Sequence, residues 1–202
     1  MSLPTLRLPV RECILEAAPR LLGRLGYRKS TMDDLAREAG VARRSIYVHF
    51  ASKEEVFLAS IDRVVENLLA ELERIATSDA SPADRLQRML VARVLFRFDS
   101  VHGYYQSLDE MFAVLRPAYL QRRERYIESE AAVFARVLEQ GARDGTLQVD
   151  DPLQSAHTLL LATNALLPYS LNTRELGSRR EIERQVQRVA ELVLRGLARR
   201  GR

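Results

Sequence analysis

The chain has 202 residues, with nine glycines, seven prolines and one cysteine. Its length suits a helical protein with a small head and a larger body. The single cysteine, Cys13, excludes an internal disulfide and is typical of a protein from a reducing compartment. The charge is uneven, because residues 1–53 carry ten Lys and Arg against five Asp and Glu, whereas residues 54–202 carry 21 against 22. A basic amino-terminal segment of this kind favours binding to nucleic acid.

We expect no targeting segment and no membrane span. The amino terminus lacks the apolar run of a signal peptide. The most apolar stretch, residues 159–171, contains Asn164 and Pro168 and is shorter than the ~20 residues that a bilayer requires. These features predict a cytoplasmic protein that does not contact a membrane.

The first predicted helix runs from about Val10 to Leu25 and ends at Gly26, because its apolar residues recur at helical spacing. Pro19 lies inside this helix. An interior proline removes a backbone hydrogen bond and costs ~3 kcal/mol unless the helix bends. We therefore expect a kink, or a helix that starts late.

Residues 31–53 predict two short helices joined by a tight turn. The first spans Met32–Ala39, with Thr31 as its cap and Gly40 at its carboxyl end. The second spans Ala42–Phe50. Two helices joined in this way are typical of a helix-turn-helix unit, whose second helix enters the DNA major groove.

The outward side chains of the second helix suit DNA. Arginine binds guanine edges or phosphate, and hydroxyl groups bind phosphate. The alternative is a solvated helix face that happens to carry two arginines. The residues concerned are Arg43, Arg44, Ser45, Tyr47, Val48 and His49.

Residues 10 to 60 resemble the TetR family of bacterial one-component repressors. The resemblance rests on six short motifs: Ile14 with Ala17-Ala18, Gly26-Tyr27, Ser30-Thr31, Ala39-Gly40-Val41, Tyr47-Val48-His49-Phe50 and Ser52-Lys53-Glu54. It implies phosphate contacts from four residues: Thr31, Tyr47, His49 and Lys53. It implies base or phosphate contacts from three more: Arg43, Arg44 and Ser45.

Three positions depart from the family pattern, and one of them is Pro19 inside the first helix. Ala42 stands where the family usually has serine, so that a helix cap worth ~1 kcal/mol is missing. Arg44 stands where the family often has glycine, which adds charge and reach and is expected to shift the sequence preference.

The remainder of the chain predicts further helices. They start at Ser52, Ser81-Pro82, Asp99, Pro117, Asp151-Pro152 and Arg179, and the last one ends near Arg199. The fold class is therefore all-α with about nine helices. We expect residues 1–53 to form the helix-turn-helix DNA-binding domain and residues 54–202 to form a helical ligand-binding and dimerisation domain.

The resemblance also implies partners. A homodimer would form through the two carboxy-terminal helices. A small-molecule effector would fill a cavity among the predicted helices from the one that starts at Ser52 to the one that starts at Asp151-Pro152, and would tilt the helix that starts at Ser52. For Arg93 and Arg97 we expect surface positions, with each side chain either snorkelling to solvent or paired in a salt bridge. The candidate effector contacts are aromatic or polar residues near apolar stripes: Met89, Arg93, Arg97, His102, Tyr105, Phe112, Tyr126, His157 and Asn164.

Catalytic chemistry and cofactors are not expected. The three histidines lie far apart without metal-ligand spacing, and no phosphate loop or nucleophile elbow is present. The favoured function is a repressor that binds a palindromic operator as a dimer and is released by an apolar or aromatic effector. The alternatives are a DNA-binding regulator controlled by a protein partner, an activator, and an enzyme on a helical scaffold.

Overall fold

A computed structural model describes residues 9–168 and 177–197, in which the chain forms eight α-helices, one short 3-10 helix and no strand. The predicted Arg199 helix end and the end of the 159–171 stretch lie outside these residues. The all-α class is confirmed. The helices are α1 (Val10–Lys29), α2 (Met32–Ala39), α3 (Arg43–His49), α4 (Lys53–Ala76), α5 (Pro82–Val101), α6 (Leu108–Arg143), α7 (Pro152–Asn164) and α8 (Arg179–Leu197), with the 3-10 helix at Tyr105–Ser107.

The described chain divides into two compact units. The first contains the residues up to Arg63 together with Gly103–Ala118, and is called the head unit below. The second contains Val64–His102 and the residues from Tyr119 onward, and is called the body unit. The domain boundary expected after Lys53 stays a prediction. The division between the two units falls within α4, after Arg63.

Local sequence signals set the ends of α2. Thr31 accepts a hydrogen bond from the backbone N–H of Asp34 at 3.1 Å, and the Asp34 carboxylate accepts from the N–H of Thr31 at 3.0 Å. These two bonds form the capping box that satisfies the exposed amides at a helix start. At the other end, Gly40 adopts φ 66°, a left-handed conformation that glycine enters without a steric penalty. The turn between α2 and α3 is therefore fixed by its own residues.

Helix α1 differs from its prediction in two ways. It extends to Lys29 rather than Leu25, although its helical dihedrals break at Gly26 as expected. Pro19 neither delays the start at Val10 nor marks that break, which corrects the expected late start. Pro19 has no N–H to donate to the carbonyl of Leu15. The Arg63 guanidinium donates to that carbonyl instead, at 3.3 Å, and also pairs with Glu12.

Pro117 does not begin a helix, so the predicted helices at Asp99–Leu115 and from Pro117 are wrong. Helix α6 continues through Pro117 for 36 residues, and the chain breaks earlier, after α5 and around the 3-10 helix. A proline leaves the carbonyl four residues before it without a donor. Here Ala113 and Pro117 are both exposed, so water can satisfy that carbonyl. The count of about nine helices becomes eight, plus the 3-10 helix, within the described residues.

The body unit is built around an apolar core. Helix α5 packs against α7 and α8, and α7 packs against α8. Residues from the body part of α4 and from α6 complete this core, including Leu68, Leu72, Phe134 and Leu138. The buried face of α5 therefore presents both apolar side chains and three arginines, Arg85, Arg93 and Arg97, to the interior.

Candidate functional site

Helix α3 is held by one face and exposes the other. Ile46 and Phe50 are buried in the head unit. Arg43, Arg44, Tyr47, Val48 and His49 are exposed, and Ser45 is half-buried. Five outward side chains on two turns of a short helix form a convex surface that a DNA groove can accept. This surface is called the α3 face below.

Arg43, the first residue of α3, is held by a carboxylate from α2. Its Nη1 donates to Oδ2 of Asp33 at 3.2 Å, and its Nε lies 3.1 Å from Oδ1. The ring of Tyr47 lies below the guanidinium, with 5.7 Å from Cζ to the ring centroid. Tyr47 and the charge of Asp33 both raise the pKa of Arg43. Arg43 is therefore a permanent, oriented cation on the α3 face.

Lys53 makes hydrogen bonds within the head unit. Its Nζ donates to the carbonyl oxygens of Tyr27 and Ser30, each at 3.0 Å, and lies 4.4 Å from the centroid of the Tyr27 ring. These carbonyls belong to the end of α1, where a cation is favourable. The phosphate contact expected of Lys53 stays a prediction, but part of its ammonium is already engaged in the free protein.

Tyr27 links α1 to α4. It is buried, its ring packs on Phe57 at 5.3 Å between centroids, and its hydroxyl donates to Glu54 at 3.1 Å. Burial raises the pKa of Tyr27, and the nearby Glu54 charge raises it further. The neutral phenol thus holds the start of α4 against the end of α1.

Thr31 is also engaged within the fold. Its hydroxyl caps α2 and lies 2.6 Å from Oδ2 of Asp34. It remains exposed, so a phosphate can reach it at the positive end of α2. The predicted contacts of Thr31, Tyr47 and His49 with phosphate stay predictions, as do those of Arg43, Arg44 and Ser45 with bases or phosphate.

The body unit buries an ion-pair cluster that the sequence did not predict. Arg93 is 1% exposed, and its Nε donates to Glu130 at 2.6 Å. Arg97 is also buried and pairs with the other oxygen of Glu130. The surface positions expected for both arginines are therefore wrong, because each faces the interior from α5. The burial of Glu130 has a signal in the sequence. Glu130 stands four residues before the core residue Phe134, so that both side chains lie on the same face of their helix.

The same cluster reaches α7. Arg93 Nη1 donates to the hydroxyl of Thr163 at 2.7 Å and to the carbonyl of Leu160 at 3.1 Å, and Nη2 donates to Asn164 at 2.7 Å. One buried guanidinium thereby joins α5, α6 and the carboxyl end of α7. We call Arg93, Arg97, Glu130, Thr163 and Asn164 the buried arginine cluster.

Electrostatics stabilise the charged state of this cluster. Burial alone raises the pKa of Glu130, but the charges of Arg97 and Arg93 and their hydrogen bonds outweigh it, so that its pKa lies below its ordinary value. Burial lowers the pKa of Arg93, and the Glu130 charge opposes this. Glu130 is therefore the counter-charge on which both arginines depend.

The structure brings together only some of the candidate effector contacts. Arg93, Arg97 and Asn164 belong to the buried arginine cluster. Met89 lies in the body core, and Tyr126 packs near Tyr119 with 6.4 Å between ring centroids. His157 lies 3.5 Å from Glu128.

The other three candidates lie elsewhere. His102 is exposed, and Tyr105 and Phe112 belong to the head unit, where Tyr105 is exposed and Phe112 is buried. The role of all nine residues stays a prediction.

Within residues 9–168 and 177–197, no three side chains among His, Cys, Asp and Glu converge to hold a metal ion. None of the helices there combines the length and the apolar character that crossing a membrane demands.

The sequence is similar to those of known bacterial regulators. Residues 14–60 match the model of the family described as "Bacterial regulatory proteins, tetR family". The chain is 29% identical over 167 residues to the HTH-type transcriptional regulator YhgD of Bacillus subtilis, which covers 78% of this chain and 82% of that protein. It is 29% identical over 140 residues to the HTH-type transcriptional repressor KstR2 of Mycobacterium tuberculosis, covering 68% of each.

The fold also resembles that of a solved bacterial regulator. A crystal structure of a TetR/AcrR-family transcriptional regulator from Thermobifida fusca matches with a TM-score of 0.69 and 26% identity, over 94% of this chain and 98% of that one. These likenesses confirm the expectation of a regulator rather than an enzyme. The chain therefore belongs to the TetR family of bacterial regulatory proteins, which are DNA-binding regulators of transcription.

Proposed function

We propose that this protein is a ligand-responsive repressor that binds a palindromic operator as a homodimer and leaves it when a small molecule binds the body. The α3 face carries the proposal, since it presents Arg43, Arg44 and Tyr47 to solvent on a helix anchored by Ile46 and Phe50. Its arginines supply base or phosphate contacts, and Tyr47 and His49 supply phosphate contacts.

The dimer is supported by apolar side chains on α7 and α8. Leu161 on α7 and Leu192 on α8 are each 71% exposed. Both helices pack in the body unit by their other faces. Exposed leucines on two adjacent helices favour a self-complementary interface with a second copy. A two-fold dimer presents two α3 faces, which read half-sites about one helical turn or more apart.

The effector is supported by the buried arginine cluster. A charged network inside a helical core contributes little net stability compared with apolar packing, so its retention favours a role beyond folding. We propose a small molecule with an apolar or aromatic frame that binds the body near this cluster. It must bind the DNA-free state more tightly than the operator-bound state, and operator and effector must then weaken each other equally.

The proposal is tested with Leu161→Glu. A buried carboxylate in the interface should convert the dimer to a monomer in sedimentation at fixed protein concentration, with loss of operator binding. Leu120→Glu is the control, since Leu120 is 48% exposed but lies on α6. Its variant should remain dimeric. If Leu161→Glu stays dimeric and binds normally, the α7–α8 interface is wrong.

The effector arm uses an operator defined as the sequence that the purified protein selects from random DNA. Small apolar and aromatic compounds are screened for release of this operator. A compound that releases the wild-type protein from the operator should also raise the melting temperature of that protein. If the screen yields no release, and DNA binding changes only when a protein partner is added, control by a protein partner replaces the effector.

A further inference from the structure

The contact between Asp33 and Arg43 joins the two helices of the helix-turn-helix unit. Asp33 lies in the first turn of α2 and Arg43 begins α3. The guanidinium is held by the carboxylate on one side, at 3.1–3.2 Å, and lies over the ring of Tyr47. Arg43 thus has a defined position before any DNA is bound.

Asp33 is not required to build α2. The neighbouring Asp34 supplies the capping box, donating nothing and accepting from Thr31 N at 3.0 Å. Asp33 instead is exposed, and its carboxylate faces Arg43. A replacement at Asp33 should therefore leave the helix start intact while it releases Arg43.

The carboxylate changes which DNA contact Arg43 favours. A cation that is already paired neutralises phosphate less well and releases fewer counterions. Phosphate contacts carry no sequence information. A guanidinium has five N–H donors, so the bond to Asp33 leaves donors for the O6 and N7 acceptors of guanine, the commonest specific contact of arginine.

We propose that Asp33 is a positioning residue for sequence recognition, holding Arg43 so that it contacts a guanine edge rather than a phosphate. The inference rests on the proposed function, in which the α3 face reads the operator. Asp33, although acidic, would then contribute to sequence specificity through its contact with Arg43.

The test is Asp33→Asn, measured by binding to the selected operator and to an unrelated duplex between 50 and 200 mM salt. Release of Arg43 should strengthen binding to the unrelated duplex and steepen its dependence on salt by about 0.9 in log–log slope for each protomer, or about 1.8 for the proposed dimer. The loss of affinity over this range should therefore be about 12-fold larger than for the wild type when both protomers contact the DNA. The ratio of operator to unrelated affinity should fall at least about five-fold.

Glu38→Gln is the matched control, because Glu38 also pairs with two arginines, Arg20 and Arg24, away from the α3 face. It should leave the ratio unchanged. In an Arg43→Ala background, Asp33→Asn should also leave the ratio unchanged, since the residue it positions is absent. Asp33→Glu keeps the carboxylate and should restore part of the wild-type ratio.

Other outcomes overturn the inference. Equal strengthening on both DNAs would mean that Asp33 only repels phosphate, and equal weakening would mean that it only supports the fold. If the wild type selects an operator but Asp33→Asn leaves the ratio of operator to unrelated affinity unchanged, the positioning role is wrong and the proposed function is unaffected. A wild type without any sequence preference defeats the proposed function and the inference together.

Discussion

Replacing Glu130 by glutamine should destabilise the protein far more than replacing an exposed glutamate. Glu130 is 0% exposed and is the shared partner of Arg93 and Arg97. In Glu130→Gln the volume is kept, but the negative charge is lost and an amide N–H group faces arginine donors. Breaking a buried ion pair at one partner costs ~3–5 kcal/mol, because it leaves an uncompensated buried charge.

The assay is thermal unfolding at one protomer concentration, since the proposed dimer would make the melting temperature depend on concentration. For a chain of this size, ~3–5 kcal/mol corresponds to a fall of about 6–20 °C. The control is Glu73→Gln, whose partner Arg136 and own side chain are both about half exposed. Such a pair is worth at most ~1 kcal/mol. Equal melting temperatures for the two variants would show that the Glu130 charge does not stabilise the folded protein.

The pH dependence gives a second check. The folded pKa of Glu130 is lowered, so its stabilisation is fully present above the unfolded carboxyl pKa of ~4.3 and is lost as the pH falls through the folded pKa. The stability gap between the wild type and Glu130→Gln should be constant from about pH 6 to 8 and should narrow in acid. A gap that widens towards acid would contradict this.

Three other predictions concern the head unit. Gly40→Ala should cost ~1 kcal/mol of stability in denaturant unfolding, since an added Cβ meets no atom within 4 Å but must adopt φ 66°; no cost would argue against the left-handed turn. Arg63→Met should lower the melting temperature, and less so when Pro19→Ala restores the missing N–H donor; additive effects would disprove the shared carbonyl. Tyr47→Phe should weaken binding to all duplexes alike, whereas Arg44→Ala should relax base preference in a mobility-shift assay; the reverse pattern would exchange their roles.

The head unit could be predicted from sequence because its signals are local. Thr31 and Gly40 set the ends of α2 within ten residues, and the structure shows each in its expected role. The α3 face follows from the same short segment. Here a helix boundary depends on residues that are neighbours in the chain.

Contacts between distant residues could not be predicted in the same way. Lys53 binds carbonyls 23 and 26 residues earlier, and Arg93 binds partners 37 to 71 residues later. A helical pattern gives the face of a residue but not which helix covers it. The tolerance of α6 for Pro117 likewise depends on exposure of the preceding turn, which only the assembled fold reveals.

Selection of bound fragments from a random DNA pool, at fixed salt and without added ligand, tests the central claim most directly. We expect recovery of a palindrome whose half-sites lie about one helical turn or more apart, protected by two protomers. Recovery of fragments without a common sequence, bound only through salt-sensitive attraction, would contradict a dimeric reader of DNA sequence.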